Sequence, residues 1–485
     1  MRKAYKIILM VISILLIGSI IIGTSYSMWV KTTIQKEQNI VNSSCFDIEF
    51  TESSNINLTN AMPISDEAGL KKKPYTFTLK NTCNNNSKVS IALDVLSTST
   101  MSSSAIKTSL TKGNMSGAPT LLTSLDKKAD VDISGAKEAY ILGTDIIGAN
   151  KSKSYSLYLW MDEAVTVAEA SKSFSSKVVI VNTATKEEPP LTLSEKVTAL
   201  ATTDTTNFAT DDPDNNIRYI GANPNNYVYF NCSDYNNQSD STCEKWRIIG
   251  VFKNMTKSDG KKEDLVKIVK DDSLGNMVWG DSNDWSKASL QTTLNGEYYN
   301  GTYETGAFKN DLTRNAIESV VWNLGGATDY DLESNGLPSH WYGYERGTTV
   351  YSGRPTTWTG KIGLMYPSDY GYATAGGSTT NRSACLAKEL RGWAGSDVSD
   401  CKNNDYLYKS SYKQWTLMPI SSRSADVFYV HDNGSVYSCF AYYGKAAGYD
   451  DYFVRPAAFL KSNILISEVG NGSSESPFQL KVGQP

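Results

Sequence analysis

Histidine is nearly missing from this chain. Its 485 residues hold only His340 and His431, and none occurs before residue 340. A histidine-based metal site would need carboxylate or thiolate help, and no HExxH motif exists. The seven cysteines form no CxxC pair, which argues against a zinc ribbon or a thioredoxin-type redox centre. No GxSxG elbow occurs, and His431 and Asp432 are adjacent, so a Ser-His-Asp arrangement has no support. A strong charge excess is also lacking. The net charge is −4 with pI near 5.5, which gives nucleic acid no basic face to bind. No LPxTG sorting signal and no second long apolar run occur. No metal and no cofactor are expected.

One long apolar run is present, Ile7 to Gly23, behind the basic start Met1-Arg2-Lys3-Ala4-Tyr5-Lys6. At about 1.5 Å per residue it spans roughly 25 Å, slightly short of a hydrocarbon core of about 30 Å. Met28, Trp29 and Val30 make up the difference. Two fates are open. Ser25-Tyr26-Ser27 has the small-x-small form of a signal-peptidase site. Alternatively the helix stays as a membrane anchor with Trp29 at the interface. In both, Arg2, Lys3 and Lys6 hold the start inside, so residue 31 onward is predicted to be extracytoplasmic, on the cell surface or secreted. Residues 1–30 are thus a signal peptide or anchor.

That compartment favours disulfides. Sequence proximity suggests Cys45–Cys83, Cys232–Cys243 and Cys385–Cys401, with Cys439 left outside the pairing. Loop entropy would give these about 3.9, 2.8 and 3.1 kcal/mol. Cys439 could displace either member of the third pair.

Lys186-Glu187-Glu188-Pro189-Pro190 is a polar, proline-stiffened break, and residues 186–192 read as a linker. Before it, residues 31–185 alternate at period two in Ser44–Phe50, Pro74–Lys80, Val89–Val95, Ser154–Trp160 and Ser176–Val181. Short strands with one solvated face, separated by turns such as Asn81–Asn86, predict an all-β antiparallel sandwich. The apolar start ending GTSYSMW, then CFDIEF, MPISDEAGLKKKPYTFTLKNTC and YSLYLWMDE, resembles the camelysin and TasA-type surface proteins of Gram-positive bacteria. The likeness covers residues 1 to about 185. It implies a special class of signal peptide and an Ig-like or jelly-roll sandwich. It also implies a choice between fibre subunit and surface protease; with no histidine in the segment, the protease role is not carried over.

Residues 193–485 hold 23 of the 29 tyrosines and eight of the ten tryptophans. Leu193–Val197 reads as a short helix capped by Ser194. Asp211–Asn216 departs from a calcium loop and reads as a solvated turn. Strands are predicted at Arg218–Ile220, Tyr227–Phe230, Trp246–Phe252 and Asp264–Val269. Leu290, Leu294 and Tyr298 predict one helix after a Ser286 cap. Phe308, Leu312, Ile317, Val320 and Val321 predict another, ended by Gly325-Gly326. The expected class is α+β.

KWRIIGVF, SKASLQTTLN, KIGLMYPSDYGYA, KQWTLMPISS and DYFVRPAAFLKS resemble, over roughly 215–465, a bacterial domain of unknown function related to formylglycine-generating enzymes and C-type lectins. The likeness implies a C-type-lectin-like fold, with Arg455 making structural hydrogen bonds in its closing strand. An oxidase would need a reactive thiol pair, Cys439 with Cys385 or Cys401, and nothing in the sequence places a cation beside it. Ca²⁺-bridged sugar binding would need an EPN, QPD or WND triplet, and none occurs. A binding surface remains. Trp341, Tyr342 and Tyr344, with Tyr442 and Tyr443, lie in Gly-rich stretches that read as loops, and such rings suit recognition of a glycan or a surface protein. The same rings could equally be core. The expectation is a surface recognition or adhesion protein, with a fibre subunit and an oxidase as alternatives.

Overall fold

The computed structural model describes residues 30–34, 46–50, 56–112, 117–166, 169, 171–185, 189–304, 306–328, 336–443 and 452–483. Residues 1–29 of the expected signal or anchor lie outside these, as does Cys45. Among the described residues, no helix is long and apolar enough to cross a membrane. By contact the chain divides into two compact units, residues 1–190 with 483–485, and residues 191–482.

Among its described residues the first unit holds ten strands: β1 (Val30–Ile34), β2 (Phe46–Phe50), β3 (Ile56–Thr59), β4 (Tyr75–Asn81), β5 (Asn86–Leu96), β6 (Ile106–Lys112), β7 (Thr120–Leu121), β8 (Ala136–Ile147), β9 (Ser152–Met161) and β10 (Ser173–Thr185). They form two five-stranded antiparallel sheets. One runs β1-β10-β5-β8 with β3 also on β10, the other β2-β4-β9-β6-β7. Alternation does the sorting. In β4, Tyr75, Phe77 and Leu79 point inward while Thr76, Thr78 and Lys80 face outward. In β9, Tyr155, Leu157 and Leu159 do the same. These meet Val89, Ile91, Leu93 and Val95 of β5 and Val178 and Ile180 of β10 in one core. Phe77 stacks on Tyr155 at 5.2 Å. The helix Asp66–Leu70 lies on Trp160 so closely that a Cβ at Gly69 would sit 2.3 Å from the indole. The expected turn between β4 and β5 is present, and Asn81 organises it. Its buried amide donates to the carbonyls of Asn85, Ile147 and Gly148. Cys83 in that turn is disulfide-bonded.

The second unit holds β11 (Phe208–Ala209), β12 (Ile217–Tyr219), β13 (Tyr227–Phe230), β14 (Glu244–Thr256), β15 (Lys262–Lys270), β16 (Val320–Asn323), β17 (Thr357–Gly360), β18 (Ile362–Gly363), β19 (Lys413–Pro419), β20 (Asp426–Val430), β21 (Val436–Phe440), β22 (Tyr452–Phe453), β23 (Ala457–Leu460), β24 (Leu465–Ile466) and β25 (Leu480–Lys481). The largest sheet runs β11-β12-β14-β15-β23-β18, with β13 also on β14. A second runs β21-β20-β19-β22, antiparallel except for β19 with β22. β16 pairs with β17, and β24 with β25. The register of β14 against β15 slips between Ile248 and Gly250. There β12 comes so near that a Cβ on Gly250 would lie 2.0 Å from the Ile217 carbonyl oxygen.

The two predicted central helices are shorter than the sequence suggested, and the described residues are mostly β. The helix Leu193–Ala201 is capped by Thr192, not Ser194, in a reciprocal box with Glu195. The first predicted central helix is one α-turn, Ser289–Thr293, continued as a π segment, Leu294–Tyr298. Asp284, not Ser286, caps the turn before it. The second stops at Ala316, and Val320 and Val321 belong to β16. Residues 338–345 were expected as loop. They form a helix that starts at Pro338, whose fixed φ and missing N–H suit a first helical turn.

Two disulfides lock the second unit, Cys232–Cys243 and Cys385–Cys401. Both match the expected pairs and accord with an extracytoplasmic setting. Cys385 and Cys401 are 16 residues apart, so replacing both by serine is expected to cost about 3 kcal/mol in the loop-entropy model. Urea denaturation followed by tryptophan fluorescence would read this. A midpoint that moves neither in the double variant nor on reduction would refute a stabilising role.

Candidate functional site

The largest group of charges in the second unit is buried. Asp369 receives Lys267 Nζ at 2.5 Å and Arg218 Nη1 at 3.0 Å. Arg218 Nε reaches Asp212 at 2.6 Å, and Asn216 joins Asp212 to the Tyr342 hydroxyl, at 2.9 Å on each side. Tyr342 in turn donates to Asp214 at 2.6 Å. Beside this group, Glu345 accepts from the Ser368 backbone N–H at 2.8 Å, the Ser368 hydroxyl at 2.5 Å and Arg346 at 3.1 Å. Asp369, Lys267, Arg218, Asp212 and Glu345 are all buried. Burial pushes the Asp369 carboxyl up, but Lys267 and Arg218 outweigh it and hold the group below its ordinary range. At Glu345 burial wins over Arg346 and Ser368, and the carboxyl is pushed up to about 7. The expected solvated turn at Asp211–Asn216 is therefore a correction: Asp212 is a counter-ion inside the fold. With Lys267 enclosed by the rings of Tyr366, Phe252, Trp322 and Phe459, the centre of the cluster is a structural clamp, and only its edge at Asp214 and Arg346 meets water.

The surface offers something different on the smaller sheet. Register puts Lys413, Trp415, Tyr429, Tyr437, Cys439 and Tyr452 on one face. Trp415 stacks on Tyr452 at 4.6 Å, and Tyr452 meets Tyr429 edge-on at 5.1 Å. His431 lies between Tyr429 and Tyr437, 5.9 and 5.7 Å from their centroids. Cations stand at the rim, Lys413 over Tyr452 at 5.0 Å and Arg391 over Tyr437 at 5.6 Å. At the end of β21 two further rings reach water, Phe440 following Cys439 and so lying on the other face of the strand. Phe440 and Tyr442 stack at 5.0 Å with planes 11° apart. They are 38% and 42% exposed. Tyr443 closes the row against both and against Tyr452. Offset rings fixed by their neighbours present flat apolar area at little entropy cost.

The structure separates the predicted binding residues. Tyr442 and Tyr443 lie in this patch. Trp341 does not: it is fully buried, its indole donating to Gly336 O at 2.9 Å, its ring 4.7 Å from Phe428. Tyr342 is buried in the ion cluster, and Tyr344 packs edge-on against Trp341. The helix 338–345 turns Trp341 and Tyr342 inward, so neither presents a ring to a ligand. Lys445, a sequence neighbour of Cys439, lies outside the described residues. Cys385 and Cys401 are bonded to each other and buried, which leaves neither to form a thiol pair with Cys439. Tyr452 hydrogen-bonds the Cys439 sulfur. Arg455 makes the expected structural bonds, to Lys270 O, Leu407 O and Gln414. Phe440, Tyr429, Tyr437 and Tyr452 were missed; the aromatics within the short runs DVFYV, VYSCF and DYFV were the available signal. Among the described residues, no cluster of His, Cys, Asp and Glu could hold a metal ion.

No family model matches the chain, and no curated protein matches it. Among solved structures, two from infectious bursal disease virus show partial likeness. The Gt strain structure is 9% identical, with 33% of each chain covered and a TM-score of 0.15. The VP2 subviral particle is 11% identical, with 32% of each covered and a TM-score of 0.15. The chain therefore spans about a third of the length of these neighbours. At that score neither carries an argument about fold or function.

Proposed function

We propose that this is an extracytoplasmic surface protein whose second unit is a non-catalytic recognition module. The first unit serves as a β-sandwich spacer or assembly module. The second unit is C-type-lectin-like on the strength of its sequence resemblance alone. One observation carries the binding role: the stacked, water-exposed Phe440–Tyr442 pair at the end of β21. Apolar rings left outside a core that buries most of the other large side chains suit a flat ligand face. A glycan ring is the occupant we favour, because stacked phenyl rings match the apolar face of a sugar. A surface protein is the second possibility.

Glycan and protein arrays probed with the full chain test this. Hits on glycans are expected, and Tyr442→Ala should weaken them about tenfold, the worth of one aromatic contact of about 1.4 kcal/mol. Because Tyr442 is exposed, the unfolding midpoint should not move. Blank arrays of both kinds would sink the reading.

A further inference from the structure

A second group of buried charges is unbalanced. Asp271 follows β15, and three cations converge on its Oδ1. Lys409 Nζ is 3.2 Å away, Arg247 Nη1 3.8 Å and Arg455 Nη2 3.8 Å. The two arginine distances are too long for hydrogen bonds. Each guanidinium is instead fixed by neutral groups. Arg247 Nε donates to Asn226 Oδ1 at 2.6 Å, and its plane lies between Tyr227 and Tyr406, 3.8 and 4.9 Å from their centroids. Arg455 is held by Lys270 O, Leu407 O and Gln414 Oε1 at 2.8, 3.2 and 2.9 Å. The two side chains are only 4% and 1% exposed. Yet Nη2 of each has no acceptor within reach among the described residues. Asp405 does not make up the deficit. Burial holds its carboxyl well above the usual range, and it ion-pairs with none of the three. Three fixed positive charges thus face one negative one.

We propose that Arg247, Arg455 and Lys409 form a binding site for an oxyanion group such as phosphate. An oxyanion brings two or more acceptors, and here the Nη2 of each arginine is left over on a guanidinium already held in place, so little entropy is lost on binding. The excess of two positive charges favours an anionic guest over water, which brings acceptors but no charge. Lys409 stands on the outer side, 25% exposed, with half-buried Tyr412 near it. A long, flexible side chain there can admit a small anion and close over it. Crowding supports the reading: burial, and then Arg455, push the Lys409 amine down, as an empty site of like charges would. This site is distinct from the aromatic patch and stands whether or not the patch binds sugar.

Inorganic phosphate is the probe. Thermal unfolding and isothermal titration of the full chain are compared in phosphate, sulfate, acetate and chloride at one ionic strength. Phosphate is expected to raise the midpoint saturably, above chloride. Lys409→Gln should weaken phosphate about tenfold, the worth of one charge-assisted hydrogen bond, while Lys409→Arg keeps most of the affinity. Asp271→Asn is the decisive variant: removing the competing carboxylate should tighten phosphate severalfold even as the unliganded fold loses stability. A purely structural ion cluster would lose stability with no gain in affinity. Equal midpoints in phosphate and chloride for the wild-type chain, or unchanged phosphate affinity in both Lys409→Gln and Asp271→Asn, would overturn the proposal.

Discussion

Asp369→Ala is expected to destabilise the second unit by about 3–5 kcal/mol, the usual cost of stranding buried charge. The carboxylate lost is the partner of Lys267, which is fully enclosed, and one of two partners of Arg218. Lys267 would be left among four aromatic rings with no anion at hydrogen-bonding distance. Those rings offset a little of the loss through their quadrupoles. The same surroundings point to a rescue. Lys267→Met puts a flexible apolar chain of similar length against the rings, so the double variant should recover most of the stability. Urea denaturation read by tryptophan fluorescence reports on the second unit, which holds eight of the ten tryptophans. Additive losses in the two variants would contradict a paired clamp. The pH sense follows from the lowered Asp369 carboxyl. Its contribution is present above the unfolded value near 3.9 and is lost as pH falls further.

Glu345 is expected to give the opposite slope. Its carboxyl lies at about 7 in the fold against an ordinary 4.5. A raised folded value means the protonated form is the one the fold favours. The associated stability is fully present below pH 4.5 and is lost as pH rises through 7. At about 1.4 kcal/mol per pH unit the fall amounts to roughly 3 kcal/mol across that window, and stability is flat above it. Glu345→Gln keeps an acceptor for the Ser368 N–H and cannot ionise, so its profile should be level from pH 5 to 8. At pH 8 the variant should exceed the wild type; Arg346, which loses an anionic partner, sets how much of the gain survives. Denaturant midpoints at half-unit pH steps decide the matter. A wild-type profile already level between pH 5 and 7 would rule out the raised carboxyl.

The strands of the first unit were legible because each has one wet face. Tyr75, Phe77 and Leu79 alternate with Thr76, Thr78 and Lys80, and period two has no other reading there. In the second unit the central strands β14 and β15 are buried on both faces, and the pattern fails there. Phe308 to Val321 has apolar residues at spacings a helix would use, yet a short helix ends at Ala316 and a strand begins at Val320. The helix 338–345 was hidden by its own buried face, which combines Trp341 and Tyr342 with the charged Glu345. Its one local mark was Pro338. The Asp369 clamp was beyond reach for another reason: charged residues read as surface until their partners are known. Of the aromatic patch, Tyr442 and Tyr443 were visible as a run, whereas the place of Tyr452 depends on pairing with β19.

The clamp also bears on time. Asp369 lies 151 residues from Arg218 and 102 from Lys267. Contacts that distant form only after the intervening chain has closed, late in folding. Interactions absent from the transition state act on the rate of escape from the native state, not on the rate of reaching it. The buried carboxylate is therefore a device for longevity. Wherever an unfolded chain is exposed to proteases, a long native lifetime protects a protein more than rapid folding does.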